Sequence, residues 1–134
     1  MLVDFDYAAP TREDSTTIVS LRSGSDILGI KGASTTDRRL QIYSAGNFSG
    51  NIDFNQTEQA TRIKALIRTN GSTVELFFNG AKDTETITFP AVNLPYAWDD
   101  IRFTGSASFL AKYNRVAIFT ESLSDAECIA LTTV

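Results

Sequence analysis

The sequence predicts an all-β protein: an antiparallel two-sheet β-sandwich with one short C-terminal helix. Three observations carry this expectation. Thr and aromatic residues are abundant, with 16 Thr, nine Phe and four Tyr, and these suit the pleated, half-buried surface of strands. Apolar and polar residues alternate in short runs, about nine to eleven of them, separated by turn residues at strand-like spacing. Strand-like runs do not alternate with long helical ones, which disfavours a parallel sheet. A chain of 134 residues is expected to form one domain, 1–134, able to bury a core without staples.

The elements follow in order. Val3, Phe5 and Tyr7 alternate with Asp4 and Asp6, the period of a strand with one dry and one wet face. Thr16–Leu21 and Asp26–Ile30 read as a hairpin around Ser23-Gly24-Ser25. Leu40 to Tyr43 forms a strand that ends at a Gly46-Asn47 turn, and Ile52 to Asn55 forms another. The middle of the chain is the most regular. Ile63, Ala65 and Ile67 share one face, and Arg62, Lys64, Leu66 and Arg68 the other. Asn70-Gly71 follows, then Val74, Leu76 and Phe78 alternating with Thr73, Glu75 and Phe77, then Asn79-Gly80. Asn and Gly accept the positive φ of tight hairpin turns, so three strands form a meander, the third over Thr84–Phe89. Pro90 and Pro95 bound a loop, Ile101 and Phe103 start a strand, and Phe109 to Phe119 reads as a long one. Ser124-Asp125-Ala126-Glu127 fits a capping box. It predicts a helix over Asp125–Leu131, with Ala126, Ile129 and Ala130 available for packing.

Composition excludes several chemistries. Histidine is absent, which removes Ser-His-Asp and Cys-His nucleophile systems and histidine zinc sites. The one cysteine, Cys128, cannot form an internal disulfide and reads as a small buried hydrophobe. Net charge is −4, so nucleic acid is not an expected partner. No apolar run approaches the ~20 residues that span a bilayer, so no membrane insertion is expected. The opening residues lack the pattern of a secretory signal.

Three segments carry a family resemblance. The hairpin from Ile63 through Leu76-Phe77-Phe78-Asn79-Gly80 resembles a hallmark strand pair of concanavalin A-like lectin/glucanase domains, including laminin G-like ones. The ending from Arg115 through Leu123-Ser124-Asp125-Ala126-Glu127 to Leu131 resembles the terminal strand and helix of the same family. The start, Val3-Asp4-Phe5-Asp6-Tyr7-Ala8, is similar to the opening strand of versions found in bacteriophage tail-fibre and virion proteins. The resemblance implies a concanavalin A-like jelly-roll. It also implies a non-enzymatic virion module of a phage or prophage, at a fibre, spike or capsid surface. Its partners would be other virion proteins, copies of itself, or host-surface polysaccharide. A purely structural decoration or assembly role and a truncated glycan-active enzyme are the alternatives. The chain opens almost at its first matching strand, which points to an edge strand missing or supplied by a neighbouring subunit.

Candidate site residues follow from chemistry. Tyr96, Trp98, Asp99 and Asp100 lie in and beside the Pro-bounded loop. An aromatic ring can stack on a sugar ring, and carboxylates accept from its hydroxyls. The same residues serve equally well as a core plug followed by a strand start. Tyr43 to Asp53, with Asn47, Phe48 and Asn51 around two glycines, is a second polar loop, which reads either as a binding edge or as a hairpin connection. Glycosidases of this fold place their carboxylates on one strand as Glu-x-Asp-x-x-Glu, a pattern absent here. Asp83-Thr84-Glu85 is the nearest alternation. No clustered acidic-Asn set suggests calcium, so no catalytic residue, metal or cofactor is expected. Arg62, Lys64 and Arg68 form either a solvated stripe or a surface for an acidic partner.

Overall fold

The computed structural model describes residues 1–8, 17–23, 26–32, 37–44, 47–55, 62–70, 73–88, 100–103 and 110–134. Among the described residues it contains ten strands: β1 (Leu2–Ala8), β2 (Thr17–Ser23), β3 (Asp26–Gly32), β4 (Asp37–Ser44), β5 (Asn47–Asn55), β6 (Arg62–Asn70), β7 (Thr73–Phe78), β8 (Ala81–Thr88), β9 (Asp100–Phe103) and β10 (Leu110–Ala117). One helix, α1 (Asp125–Thr132), follows them. The strands form two antiparallel five-stranded sheets, ordered β10-β1-β6-β7-β8 and β5-β4-β3-β2-β9. The all-β expectation with a C-terminal helix holds. Among the described residues, no helix is long and apolar enough to cross a membrane.

The chain divides into two compact units. The first comprises Met1–Tyr7, Ala60–Leu94 and Lys112–Val134; the second comprises Ala8–Gln59 and Pro95–Ala111. In the first, β1 is an interior strand, with Leu2 opposite Leu66 and Phe5 opposite Ile63. The period-two pattern of β6 and β7 sorts their side chains. Val3, Phe5, Ile63, Ala65, Ile67, Val74 and Leu76 are all buried. On the other face, Leu2, Leu66 and Phe77 form one cross-strand row. Cys128 of α1 packs on that row, joined by Ala117, Phe119, Leu123 and Leu131. Burying side chains such as Leu66 and Phe77 contributes roughly 1.5–3 kcal/mol each.

The helix begins as its sequence dictates. Ser124 is the N-cap; its Oγ accepts from the Glu127 N–H at 3.3 Å, and the Glu127 carboxylate accepts from the Ser124 N–H at 2.8 Å. The Ser124 hydroxyl, donating to the Glu127 carboxylate at 2.6 Å, and the Ser124 N–H hold the Glu127 carboxyl below its ordinary range. The packing face differs from the expectation. Ala126, Ile129 and Ala130 are exposed, while Cys128 and Thr132 are buried. Cys128 packs against Leu66 and Phe77 on the sheet, and the Thr132 hydroxyl is satisfied where it is buried. It donates to the Cys128 carbonyl at 2.8 Å and accepts from the Gly80 N–H at 3.3 Å.

Charged residues clamp the helix to the sheet. Arg68 reaches Glu75 at 2.6 Å, Asp125 at 2.5 Å and the Leu123 carbonyl at 2.7 Å. Lys82 bridges the same two carboxylates, at 2.8 and 3.0 Å. Both cations lie over the Phe77 ring, 4.9 and 5.5 Å from its centroid, a favourable placement against the negative ring face. At the other helix end, Lys64 Nζ donates to the Thr133 carbonyl at 2.6 Å. The Arg62, Lys64 and Arg68 stripe therefore meets acceptors within its own chain. Asp4 is buried at 6% exposure and bound by Arg62 through two hydrogen bonds of 3.0 and 2.8 Å. The expected wet face of β1 is thus largely covered.

The hairpin turns sit close to their expected places. Asn79 and Gly80 both have positive φ, 43° and 83°, as a type I′ turn requires. Strand β8 starts directly after them, at Ala81, earlier than the expected Thr84. Asn70 pairs with Thr73 inside the ladder, so the link between β6 and β7 is residues 71–72. Asn47 likewise pairs with Ser44 inside the β4–β5 ladder.

Candidate functional site

Of the six candidate residues, Tyr96, Trp98 and Asp99 lie outside the described residues. The other three belong to the second unit. Asp100 is the first residue of β9, Tyr43 lies near the end of β4, and Asn47 begins β5.

The register brings two of them into one row. Asp100 pairs with Arg22, Arg22 with Ile27, Ile27 with Tyr43, and Tyr43 with Phe48. This row crosses all five strands near one end of the sheet. Asn47 belongs to the next row outward, opposite Ser44. A register shift between Ile42 and Tyr43 places an extra β5 residue beside the row, the kind of bulge that re-aims side chains at strand ends.

The rows alternate in character, as period two demands. The row inside the Tyr43–Asp100 row contains Leu21, Leu28, Ile42 and Ile101. The row after it contains Arg102, Ser20, Gly29, Gln41 and Asn51. Strand β2 is buried on both faces at this level, with Val19 and Leu21 on one and Ser20 on the other. Gly29 permits the close approach of β3: a Cβ there would lie 3.1 Å from both the Ser20 Cβ and the Val19 carbonyl.

The charged groups here are unequally partnered. Arg102 Nε donates to Asp100 at 2.6 Å, an ion pair about half exposed on both sides. Such exposed pairs contribute roughly 0–1 kcal/mol. Among the described residues, two buried side-chain atoms have no hydrogen-bond partner, Ser20 Oγ and Arg22 Nε. An unsatisfied buried donor costs about 1–3 kcal/mol. Sequence reasoning named Asp100 and Tyr43 but missed Ser20 and Arg22. The alternation Val19-Ser20-Leu21-Arg22 was the available signal, since it puts both polar residues on one face of a strand.

Other acidic groups stand apart. Asp83 accepts from the Glu85 N–H at 2.9 Å, a contact local to β8 in the first unit. Among the described residues, no group of three or more His, Cys, Asp or Glu side chains is placed to hold a metal ion.

Neither protein-family models, curated proteins nor solved structures give a match to this chain.

Proposed function

We propose that the protein is a non-enzymatic surface module of a bacteriophage or prophage virion that adheres to host-surface glycans. The observation that carries the reading is the Phe48–Tyr43–Ile27–Arg22–Asp100 row. It collects aromatic, cationic and acidic residue types at one end of a sheet. Sugar rings offer apolar faces and hydroxyl edges, which those residue types match. The virion setting rests on the resemblance of the opening segment, Val3 to Ala8, to versions of the domain found in phage tail-fibre and virion proteins.

The proposed architecture is a concanavalin A-like jelly-roll sandwich. Two nested neighbour pairs support it: β1 lies beside β10, and β2 beside β9. Each joins strands from opposite parts of the chain, as wrapped double-sheet folds do. Individual sugar contacts would be shallow and weak. Many copies on one particle would raise the overall affinity by avidity, so copies of itself and other virion proteins are the expected partners.

The test uses Trp98, the only indole. Its fluorescence is followed while purified protein is titrated with host-surface polysaccharide, and the mass in solution is recorded. Quenching or a spectral shift by one polysaccharide is expected. Emission that no glycan changes, in an oligomer, would overturn adhesion in favour of a purely structural assembly role.

A further inference from the structure

Among the described strands, β8 ends its sheet, beside β7. Its pairing with β7 is irregular between Glu75 and Phe77. Glu75 pairs with Thr86, and Phe77 pairs with Lys82. On β7 only Leu76 lies between the two pairs; on β8 Asp83, Thr84 and Glu85 do. The edge strand therefore carries two residues more than its neighbour at this point. Two extra residues, unlike one, keep the alternation of faces in step on both sides. Lys82 accordingly stays on the face of Phe77, where it reaches Glu75 and Asp125.

The last strand of a sheet presents unpaired N–H and C=O groups, a template on which a strand of another copy can add. A bulge breaks that template by bending the strand out of ladder geometry. Here the bulge is also closed on itself, because Asp83 Oδ1 accepts from the Glu85 N–H at 2.9 Å. That donor is taken within β8 and is not offered to an added strand. Thr84, Glu85 and Thr86 are exposed and Asp83 is half-buried, so the bulge stands in solvent. Both of its ends are acidic. Two β8 edges brought together antiparallel and centred on Thr84 would set Asp83 of each copy opposite Glu85 of the other. Like charges directly opposite each other destabilise a strand pair.

We infer that the Asp83–Thr84–Glu85 bulge is a guard that keeps the β8 edge from adding a strand of a second copy. The guard does not depend on glycan binding. Its consequence for a module present in many copies is that the sheet does not run on from copy to copy through β8. Contacts between copies form away from this edge.

The experiment compares the full chain with two variants, by sedimentation velocity over a concentration series and by amide hydrogen exchange in β8. The first variant deletes Thr84 and Glu85 and carries Asp83→Thr. It leaves one neutral residue opposite Leu76 and restores a regular ladder. The second, Asp83→Thr with Glu85→Thr, keeps the chain length, removes both charges and releases the Glu85 N–H. In the parent, exchange over residues 82–86 is expected to be independent of concentration. In the deletion variant, mass should rise with concentration and exchange at Lys82 and Thr86 should slow roughly ten-fold. The double substitution should move in the same direction by a smaller factor. Parent β8 amides that become protected as concentration rises would overturn the guard, since the edge would then pair despite the bulge. A folded deletion variant with parent-like mass and exchange would overturn it too. If the deletion prevents folding, seen as loss of the far-ultraviolet β signal, the double substitution decides. Slower, concentration-dependent exchange in it supports the guard, and parent-like exchange overturns it.

Discussion

In the first unit, polar side chains reaching toward the sheet are answered by partners; in the second, two buried polar atoms among the described residues are not. Asp4 is held by Arg62 through both carboxylate oxygens. Glu75 and Asp125 are each bound by Arg68 and Lys82. The buried Thr132 hydroxyl both donates and accepts. By contrast, Ser20 Oγ and Arg22 Nε have no partner. The difference separates two uses of polarity. Satisfied networks fix one arrangement of a fold. Unsatisfied buried donors carry a cost that the rest of the fold must offset.

That contrast can be broken by substitution. The largest effect belongs to Phe77, fully buried beneath Arg68 and Lys82 and against Cys128. Phe77→Ala is expected to cost about 3–5 kcal/mol in chemical denaturation, from lost burial and the cavity left behind. Arg68→Gln comes next. It leaves Glu75 with one cation instead of two and the Leu123 carbonyl without its donor. A loss of roughly 1–3 kcal/mol is expected, and an Arg68→Gln variant as stable as the parent would show the clamp to be idle.

Acid should act on the first unit through the same groups. Arg62 hydrogen bonding, against the opposing pull of burial, holds the Asp4 carboxyl below its ordinary range. Burial pushes Glu75 up, but hydrogen bonds from Lys82 and Arg68 outweigh it and the net shift is downward. Hydrogen bonds from Lys82 and Arg68 lower Asp125. A folded-state pKa below the unfolded one means that folding favours the ionised form. The stabilisation is therefore complete above the ordinary carboxylate range and is lost as pH falls through the depressed values. Melting temperature should fall in acid, and Arg68→Gln should reduce that fall.

Smaller effects sharpen the comparison. Gly80 has φ of 83°, and a Cβ would lie 3.2 Å from Thr133 Oγ1. Gly80→Ala should cost about 1–2 kcal/mol through the left-handed conformation alone. Ser20→Ala should do the reverse of a polar deletion in the first unit. It removes an unsatisfied buried hydroxyl, so stability is expected to stay within roughly 0.5 kcal/mol of the parent or to rise. A clear loss on Ser20→Ala would mean that the hydroxyl is satisfied in the free protein.

Local pattern made much of the fold legible. Alternation in Ile63–Arg68 and Val74–Phe78 marks paired strands, Asn79-Gly80 marks the turn, and Ser124 with Glu127 marks the helix start. Each signal lies within a few residues and has a direct stereochemical cause. What sequence reading missed depends on distant partners. Asp4 reads as solvated because its partner Arg62 lies 58 positions away. The packing face of α1 was misjudged because eight residues with scattered small side chains define no clear apolar stripe, and Thr132 is buried only because Cys128 and Gly80 satisfy it. For the site, Tyr43 and Asp100 were identifiable as residue types. Their shared row with Arg22 emerges only from the register of five strands, and the unsatisfied state of Ser20 and Arg22 only from three-dimensional contacts.

We propose that the Tyr43–Arg22–Asp100 end of the second unit's sheet binds glycan and that the first unit does not. Backbone amide shifts of the labelled full chain, recorded during titration with host-surface polysaccharide fragments, test it most directly. Shifts centred on Arg22, Ile27, Tyr43 and Asp100 are expected, with the β6–β7 hairpin and α1 unmoved. Shifts confined to the first unit, or none at saturating fragment concentrations, would contradict it.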